Sequence, residues 1–385
     1  MAAGGTVGIP ASVMDGPRVA VVGAGAWGTT LARLVARVEP VSLVCHSPET
    51  AARIVATGRN ETRLPGVDLP ATVIATADPA ALRDAVDLVI FAAPSAHLRE
   101  IVAEARPHLA PSAELLSVVK GLERGTLLRM SEVIAEAAGV PVERVAALSG
   151  PNLASEIARN LPASSVVAAA DLALAGRIVD RLARRRFRLY VNEDILGVEL
   201  CGALKNVVAI AAGAVDALGF GDNGKAGLLT RGLAEMTRLG IAAGANPLTF
   251  AGLAGMGDLI ATCGSELSRN HRLGVELANG RSWAVLERAL PGTAEGAYTV
   301  RAALALADRY GVELPIALEV ERALFEGKSV KRCLADLLAR EPKDELADFG
   351  GWVARLAPGD APGSGAGQGF AATPRGAGSG PRSET

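Results

Sequence analysis

A short β-branched run, RVAVV (18–22), passes directly into GAGAWG (23–28) and then into TTLARLVARV at helical spacing. Strand, glycine turn and helix in immediate succession constrain this chain more than any other feature. The turn fits G-x-G-x-x-G through Gly23, Gly25 and Gly28. A glycine-rich turn alone says little, but one that follows a strand and opens a helix is the context in which a dinucleotide is bound. Gly23 permits the tight turn, Gly25 lets a pyrophosphate approach the backbone, and Gly28 allows close helix–strand packing. The helix N-terminus then faces the phosphates.

The pattern continues. VSLVCH (41–46), TVIAT (72–76), DLVIFAAP (87–94), LLSVVKG (115–121) and VAALSGP (145–151) read as further strands, with helical stretches between several of them. Alternation of this kind predicts an α/β fold: a Rossmann-like, doubly wound and mostly parallel sheet with helices on both faces. ASSVVAAA (163–170) and FRLYVN (187–192) are expected to extend the sheet. Ligands bind such sheets at the carboxyl ends of the strands, where Pro94-Ser95, Lys120-Gly121 and Ser149-Gly150-Pro151 would lie. From about residue 194 the texture becomes helical, with glycine-rich turns and no clear β-alternation. The expected organisation is a dinucleotide-binding domain over 17–193 and an all-α substrate domain over 194–345. Residues 1–16 and the Gly/Pro-rich tail 357–385 cannot bury enough apolar surface to repay ordering, and are predicted to be disordered.

Several function classes are disfavoured. A net charge of −2 gives no reason to expect nucleic acid or an anionic membrane as partner. The basic run RLARRRFR (181–188) reads as a solvated helix end leading into a strand. Cys45, Cys201, Cys263 and Cys333 form no C-x-x-C pair and the four histidines no H-x-x-x-H pair, so neither a metal site nor a disulfide framework is expected. The N-terminus lacks the charged and apolar regions of a signal peptide, and no apolar run looks long enough to span a bilayer. A cytoplasmic, reduced protein is expected.

Cofactor choice turns on the end of the second strand, where an acidic residue would bind the adenine ribose of NAD. Here the sequence is LVCHSPET, with His46 and Ser47 in that place. Neither repels a 2′-phosphate, and Arg53 or Arg63 could help to bind one, so NADP is allowed beside NAD.

The second domain opens with GVELCGALKN (197–206), a greasy segment that nonetheless carries Glu199 and Lys205. A lysine buried there loses hydration that is costly to replace. Two readings are open: a snorkelling side chain whose head reaches water, or a proton donor for a carbonyl oxygen. Two more clusters stand out. In GLAGMGDLIATC (252–263), Asp258 is the only charge, and serves either as a helix cap or as a partner for a lysine. In SELSRNHR (265–272), Ser268, Arg269 and Asn270 are adjacent, although Arg269 alone would pass for a surface charge.

Together these stretches resemble the bacterial-type NAD(P)-dependent sn-glycerol-3-phosphate dehydrogenases. The motifs are GAGAWGTTLA, NETRLPG (60–66), VVKGLE (118–123), LSGPNLASE (148–156), GVELCGALKNVVAIAAG, NGKAGLLTRGLAEM (223–236), GLAGMGDLIATC, SRN and EGAYT (295–299), in order over about 18–330. The resemblance implies reduction of dihydroxyacetone phosphate to sn-glycerol 3-phosphate for phospholipid synthesis, in a homodimer without membrane spans. It implies that Lys205 is the catalytic proton donor and acceptor, and that Lys120 touches both cofactor and substrate. Gly150, Asn152, Asp258, Ser268, Arg269 and Asn270 match positions that hold glycerol phosphate. Ala26, Trp27, His46, Arg63, Ala154, Arg269, Thr293 and Glu295 match cofactor-contacting positions. Arg63 stands where the family commonly has tyrosine, and Cys201 and Gly227 replace a usual glycine and alanine. Two rivals remain: a reductase of another small 2-oxo or 3-hydroxy acid, and a nicotinamide-binding sensor without turnover.

Overall fold

The computed structural model describes residues 18–85, 87–289, 294–341 and 345. The N-terminal extension 1–16, the tail 357–385 and Thr293 lie outside the described residues. Eight strands form one sheet: β1 (Val19–Val22), β2 (Val41–Val44), β3 (Val73–Thr76), β4 (Leu88–Phe91), β5 (Glu114–Ser117), β6 (Val145–Ser149), β7 (Ala163–Ala168) and β8 (Phe187–Asn192). Their order is β3-β2-β1-β4-β5-β6-β7-β8. Every neighbouring pair is parallel except β6 and β7, which run antiparallel. Each strand-like run identified in the sequence supplies one of these strands.

Alternate residues of β1 serve opposite faces, as a pleated strand requires. Val19 and Val21 pack with Leu31 and Val35 on one side, whereas Ala20 and Val22 pack with Phe91 and Val102 on the other. The sheet is therefore covered twice, by α1 (Ala26–Val35), α2 (Pro48–Thr57), α3 (Leu98–Ala105), α4 (Met130–Ala138), α5 (Ala154–Ala158) and α6 (Leu172–Leu182). Because β1 pairs with both β2 and β4, the strand order reverses there, and a crevice opens beyond the carboxyl ends of β1 and β4. The basic run behaves as expected: α6 ends at Leu182 and β8 begins at Phe187, with Arg185, Arg186 and Arg188 outside the buried core.

Beyond β8 the described chain is helical: α7 (Ile195–Ala217), α8 (Gly221–Ala243), α9 (Pro247–Phe250), α10 (Asp258–Cys263), α11 (Arg269–Ala278), α12 (Trp283–Ala289), α13 (Glu295–Arg309), α14 (Pro315–Phe325) and α15 (Val330–Leu338). A single π-helical turn, Leu253–Gly257, leads into α10. Helix α7 is the spine of this half, and every residue from Gly197 to Ile210 is buried. With 3% aromatics, the neighbouring helices pack on small residues and approach very closely. A Cβ added to Gly213 would stand 1.9 Å from the carbonyl oxygen of His271, and one added to Gly274 would stand 1.8 Å from that of Ile210. No side chain fits at either position, so α7 and α11 cross backbone against backbone.

One expectation needs correction. By length and composition α7 could cross a membrane, although the sequence suggested that no segment could. The charged residues that interrupt the apolar run are internally paired, and most of the helix is buried by its neighbours. Glu199 shows how. Its carboxylate accepts from the backbone N–H of Ser131 (2.8 Å), from Ser131 Oγ (2.5 Å) and from Arg129 Nη1 (2.8 Å). Burial still pushes its pKa up, against the pull of Arg129.

Candidate active site

The cofactor side is built from main chain and missing side chains. Gly23 has φ +112°, and a Cβ there would press within 2.6 Å of the carbonyl oxygen of Ala92 beyond β4. At Gly28 a Cβ would lie 1.9 Å from the carbonyl oxygen of Gly23. Gly25, the N-cap of α1, faces nothing within 4 Å. Two of the three glycines thus let elements touch, and the third leaves space in front of a helix N-terminus. That space, together with the first-turn N–H groups of α1, fits a pyrophosphate. Ala26 and Trp27 form the first turn. The Trp27 ring meets Phe187 edge-on at 6.1 Å, while its buried Nε1 has no hydrogen-bond partner among the described residues. Ala154, which opens α5, accepts a hydrogen bond from Thr30 Oγ1 of α1 (3.2 Å). His46 is exposed just past β2, and Ser47 caps α2 through Thr50 N (3.3 Å). The carboxylate in the first turn of α2, Glu49, is engaged by its own backbone N–H and by Ser47, which lower its pKa.

The substrate side is built from buried charge. Asp258, 2% exposed, receives Lys120 Nζ on one oxygen (2.6 Å) and Lys205 Nζ on the other (2.8 Å). It is a lysine partner and not merely the first residue of α10. Lys205, on α7, also donates to Thr262 Oγ1 (2.5 Å), which in turn donates to Asp258 Oδ1 (3.1 Å). The ammonium of Lys205 is therefore not snorkelling: it is held by two groups of α10, with only 7% of the side chain exposed. Lys120 lies past the end of β5, donates to the carbonyl oxygen of Gly150 (2.9 Å), and keeps 16% of its side chain accessible. Burial lowers the Lys120 pKa to about 8, opposed by Asp258 and assisted by the charge on Lys205. Burial alone would raise the Asp258 carboxyl, but the two ammonium groups outweigh it and hold it below its ordinary value.

Gly150 adopts φ +138° against Ser165 of β7, a conformation that L side chains rarely adopt. Asn152 follows. Its Oδ1 accepts from Ser165 Oγ, which leaves Nδ2 buried and without a partner among the described residues. An unsatisfied buried amide is a ready hydrogen-bond donor.

The SRN segment starts α11. Ser268 is its N-cap and accepts from His271 N (3.2 Å). Asn270 links three helices: Nδ2 donates to Asn206 Oδ1 of α7 (2.9 Å), and Oδ1 accepts from Gly296 N of α13 (2.9 Å). Arg269 is open to solvent yet ringed by protein. That partial burial lowers its pKa, as does Arg63, whereas Glu295 raises it. Two arginines within electrostatic reach of each other are suited to an anion between them. Glu295 heads α13 and accepts from both the N–H (3.2 Å) and the Oγ of Ser95 beyond β4. Burial pushes its carboxyl pKa up against those donors.

Sequence reasoning missed two members of this arrangement. Thr262 stands four residues after Asp258, on the same face of α10, and that spacing was a usable signal. Ser165 had none, because only the antiparallel turn-back of β7 brings it to Asn152.

Known proteins resemble both halves of this chain. Residues 18–175 match the model of the NAD-dependent glycerol-3-phosphate dehydrogenase N-terminus, and residues 194–335 match that of its C-terminus. A glycerol-3-phosphate dehydrogenase [NAD(P)+] of Parafrankia sp. is 48% identical over 330 residues, covering 85% of this chain and 98% of the relative. That of Frankia casuarinae is 45% identical over 329 residues, with the same coverage of each. The crystal structure of glycerol-3-phosphate dehydrogenase from Coxiella burnetii superposes with a TM-score of 0.79 at 37% identity, covering 84% of this chain and 98% of that one. The chain therefore belongs to the NAD(P)-dependent glycerol-3-phosphate dehydrogenase family.

Proposed function

We propose that this chain interconverts dihydroxyacetone phosphate and sn-glycerol 3-phosphate, with NADPH or NADH as partner, and that Lys205 moves the proton. The Lys205–Asp258–Lys120 cluster carries the reading, because it sets an oriented ammonium beside a sheet whose first turn is shaped for a dinucleotide. When bound, the nicotinamide supplies the hydride to the carbonyl carbon or takes it back. Lys205 Nζ gives a proton to the carbonyl oxygen as negative charge develops there, and removes it in the reverse direction. Asp258 and Thr262 aim that ammonium. Lys120 and Arg269 supply positive charge for the phosphate, and the free amide of Asn152 donates to a substrate oxygen. Gly150, Ser268 and Asn270 shape the same pocket, while Ala26, Trp27, His46, Arg63, Ala154 and Glu295 serve the cofactor.

Residues 17–193 form the cofactor domain and 194–345 the substrate domain in this reading. It is supported by family models of which one ends at 175 and the other begins at 194. We further propose a cytoplasmic homodimer that feeds phospholipid synthesis. The test follows NADPH and NADH absorbance with dihydroxyacetone phosphate and with dihydroxyacetone. Turnover of the phosphorylated substrate alone is expected. Equal rates on both would indicate a reductase without phosphate recognition, and binding without oxidation would indicate a sensor.

A further inference from the structure

The segment NETRLPG (60–66) belongs to the family pattern, yet the reaction gives most of it no task. In the structure it is a closed loop pressed onto the glycine turn. Leu69 N donates to the carbonyl oxygen of Gly58 (2.9 Å), and Gly66 N to Glu61 Oε2 (3.0 Å). Leu64, 1% exposed, packs with Val67 and with Ala158 of α5. Asn60 is also 1% exposed, and both hydrogens of its amide point into the turn. Nδ2 donates to the carbonyl oxygen of Ala24 (2.9 Å) and to Thr29 Oγ1 (2.8 Å). Its own backbone carbonyl accepts from Arg63 N (3.1 Å) and Leu64 N (2.7 Å), so the same residue starts the turn that carries Arg63.

The carbonyl of Ala24 and the N–H of Gly25 belong to one planar trans peptide and point in opposite directions. Pinning that oxygen therefore aims the Gly25 N–H. Glycine on one side of this peptide would otherwise let it rotate cheaply. We propose that Asn60 is a positioning residue for the dinucleotide: it locks the 24–25 peptide so that the Gly25 N–H faces the pyrophosphate. The proposal rests on the cofactor reading under Proposed function.

The test uses the full chain and measures dissociation constants for NADPH, ADP-ribose and nicotinamide mononucleotide by calorimetry. Asn60→Asp keeps the shape and removes both donor hydrogens. NADPH and ADP-ribose, which carry the pyrophosphate, should bind roughly tenfold to a hundredfold more weakly, the worth of a hydrogen bond to a charged group. Nicotinamide mononucleotide, with one phosphate, should bind as to wild type, and KM for dihydroxyacetone phosphate should not move. Thr29→Val introduces no charge and removes one acceptor of the same amide. It should weaken the same two ligands by less, and non-additively with Asn60→Asp. If Asn60→Asp does not fold, Thr29→Val alone decides by the same contrast between ligands. Equal weakening of all three ligands, or unchanged NADPH affinity in a folded variant, overturns the proposal. A wild-type chain that binds neither NADPH nor NADH would overturn the cofactor reading itself, and this proposal with it.

Discussion

The two sides of the cleft solve the same problem with opposite materials. On the cofactor side Gly23, Gly25 and Gly28 bring no side chain, and the first turn of α1 carries no acidic residue. On the other side Lys120, Asp258 and Lys205 bring three formal charges into a site where Asp258 is 2% exposed. A site made of absences fails when an atom is added. One made of buried charges fails when a partner is removed, because the remaining charge has already lost its water. The same substitution size should therefore have different consequences on the two sides.

The largest effect on this contrast is expected from Lys205→Met, which keeps length and apolar stem but removes the proton. kcat should fall by roughly 10²–10⁴ while NADPH affinity stays near wild type. A folded, cofactor-binding variant that retains more than about a tenth of wild-type kcat would remove Lys205 from catalysis. Asp258→Asn comes next. It leaves two ammonium groups facing a neutral amide, and urea denaturation should register a loss of about 3–5 kcal/mol. A loss comparable to that of a surface substitution would mean that the pair is not buried in solution.

On the glycine side the comparison is internal. Gly28→Ala drives a Cβ into the carbonyl of Gly23 and should lower the melting temperature, because backbone must move. Gly25→Ala meets open space, so it should keep the melting temperature and lose NADPH affinity. If the two variants behave alike, the division of labour within the turn is wrong.

The pH dependence of stability separates the two sides again. Lys120 has a folded pKa of about 8, below its ordinary 10.5. Between those values the unfolded chain binds more protons than the folded one, so this residue makes stability rise with pH across that window. Lys120→Met should flatten that rise in a urea-midpoint series, and an unchanged slope would contradict the assignment. The smallest effect is expected in cofactor choice. NADPH should be used at least comparably to NADH, and His46→Asp should shift preference toward NADH by repelling the 2′-phosphate. A wild-type preference for NADH of roughly a hundredfold or more would refute the first part.

Much of this architecture is legible in the sequence alone. Most strands are compact apolar runs, and the alternation of β1 residues between two buried faces follows from the pleat. The glycine turn is identifiable because its context, strand before and helix after, is local in sequence. Lys205 betrays itself by being out of place in an apolar helix. What cannot be read depends on distant segments meeting. Nothing near Asn152 points to Ser165, 13 residues on and across an antiparallel pair. Nothing near Glu199 points to Arg129 and Ser131, although those bonds let α7 carry a carboxylate in its core. Nothing near Asn270 points to Asn206 and Gly296, whose bonds to its side chain tie α11 to α7 and α13.

The crossing of α7 and α11 also limits how far the sequence can drift. Gly213 and Gly274 sit at the contact with less than one methyl group of clearance, pressed against main chain of the opposite helix. One mutational step to alanine at either position would push α11 outward, carrying Ser268, Arg269 and Asn270 with it. The placement of the SRN segment therefore depends on residues with no side chain and no chemistry. The neutral paths open to the spine are narrow, and variation should collect instead on the outer helices, where space absorbs it.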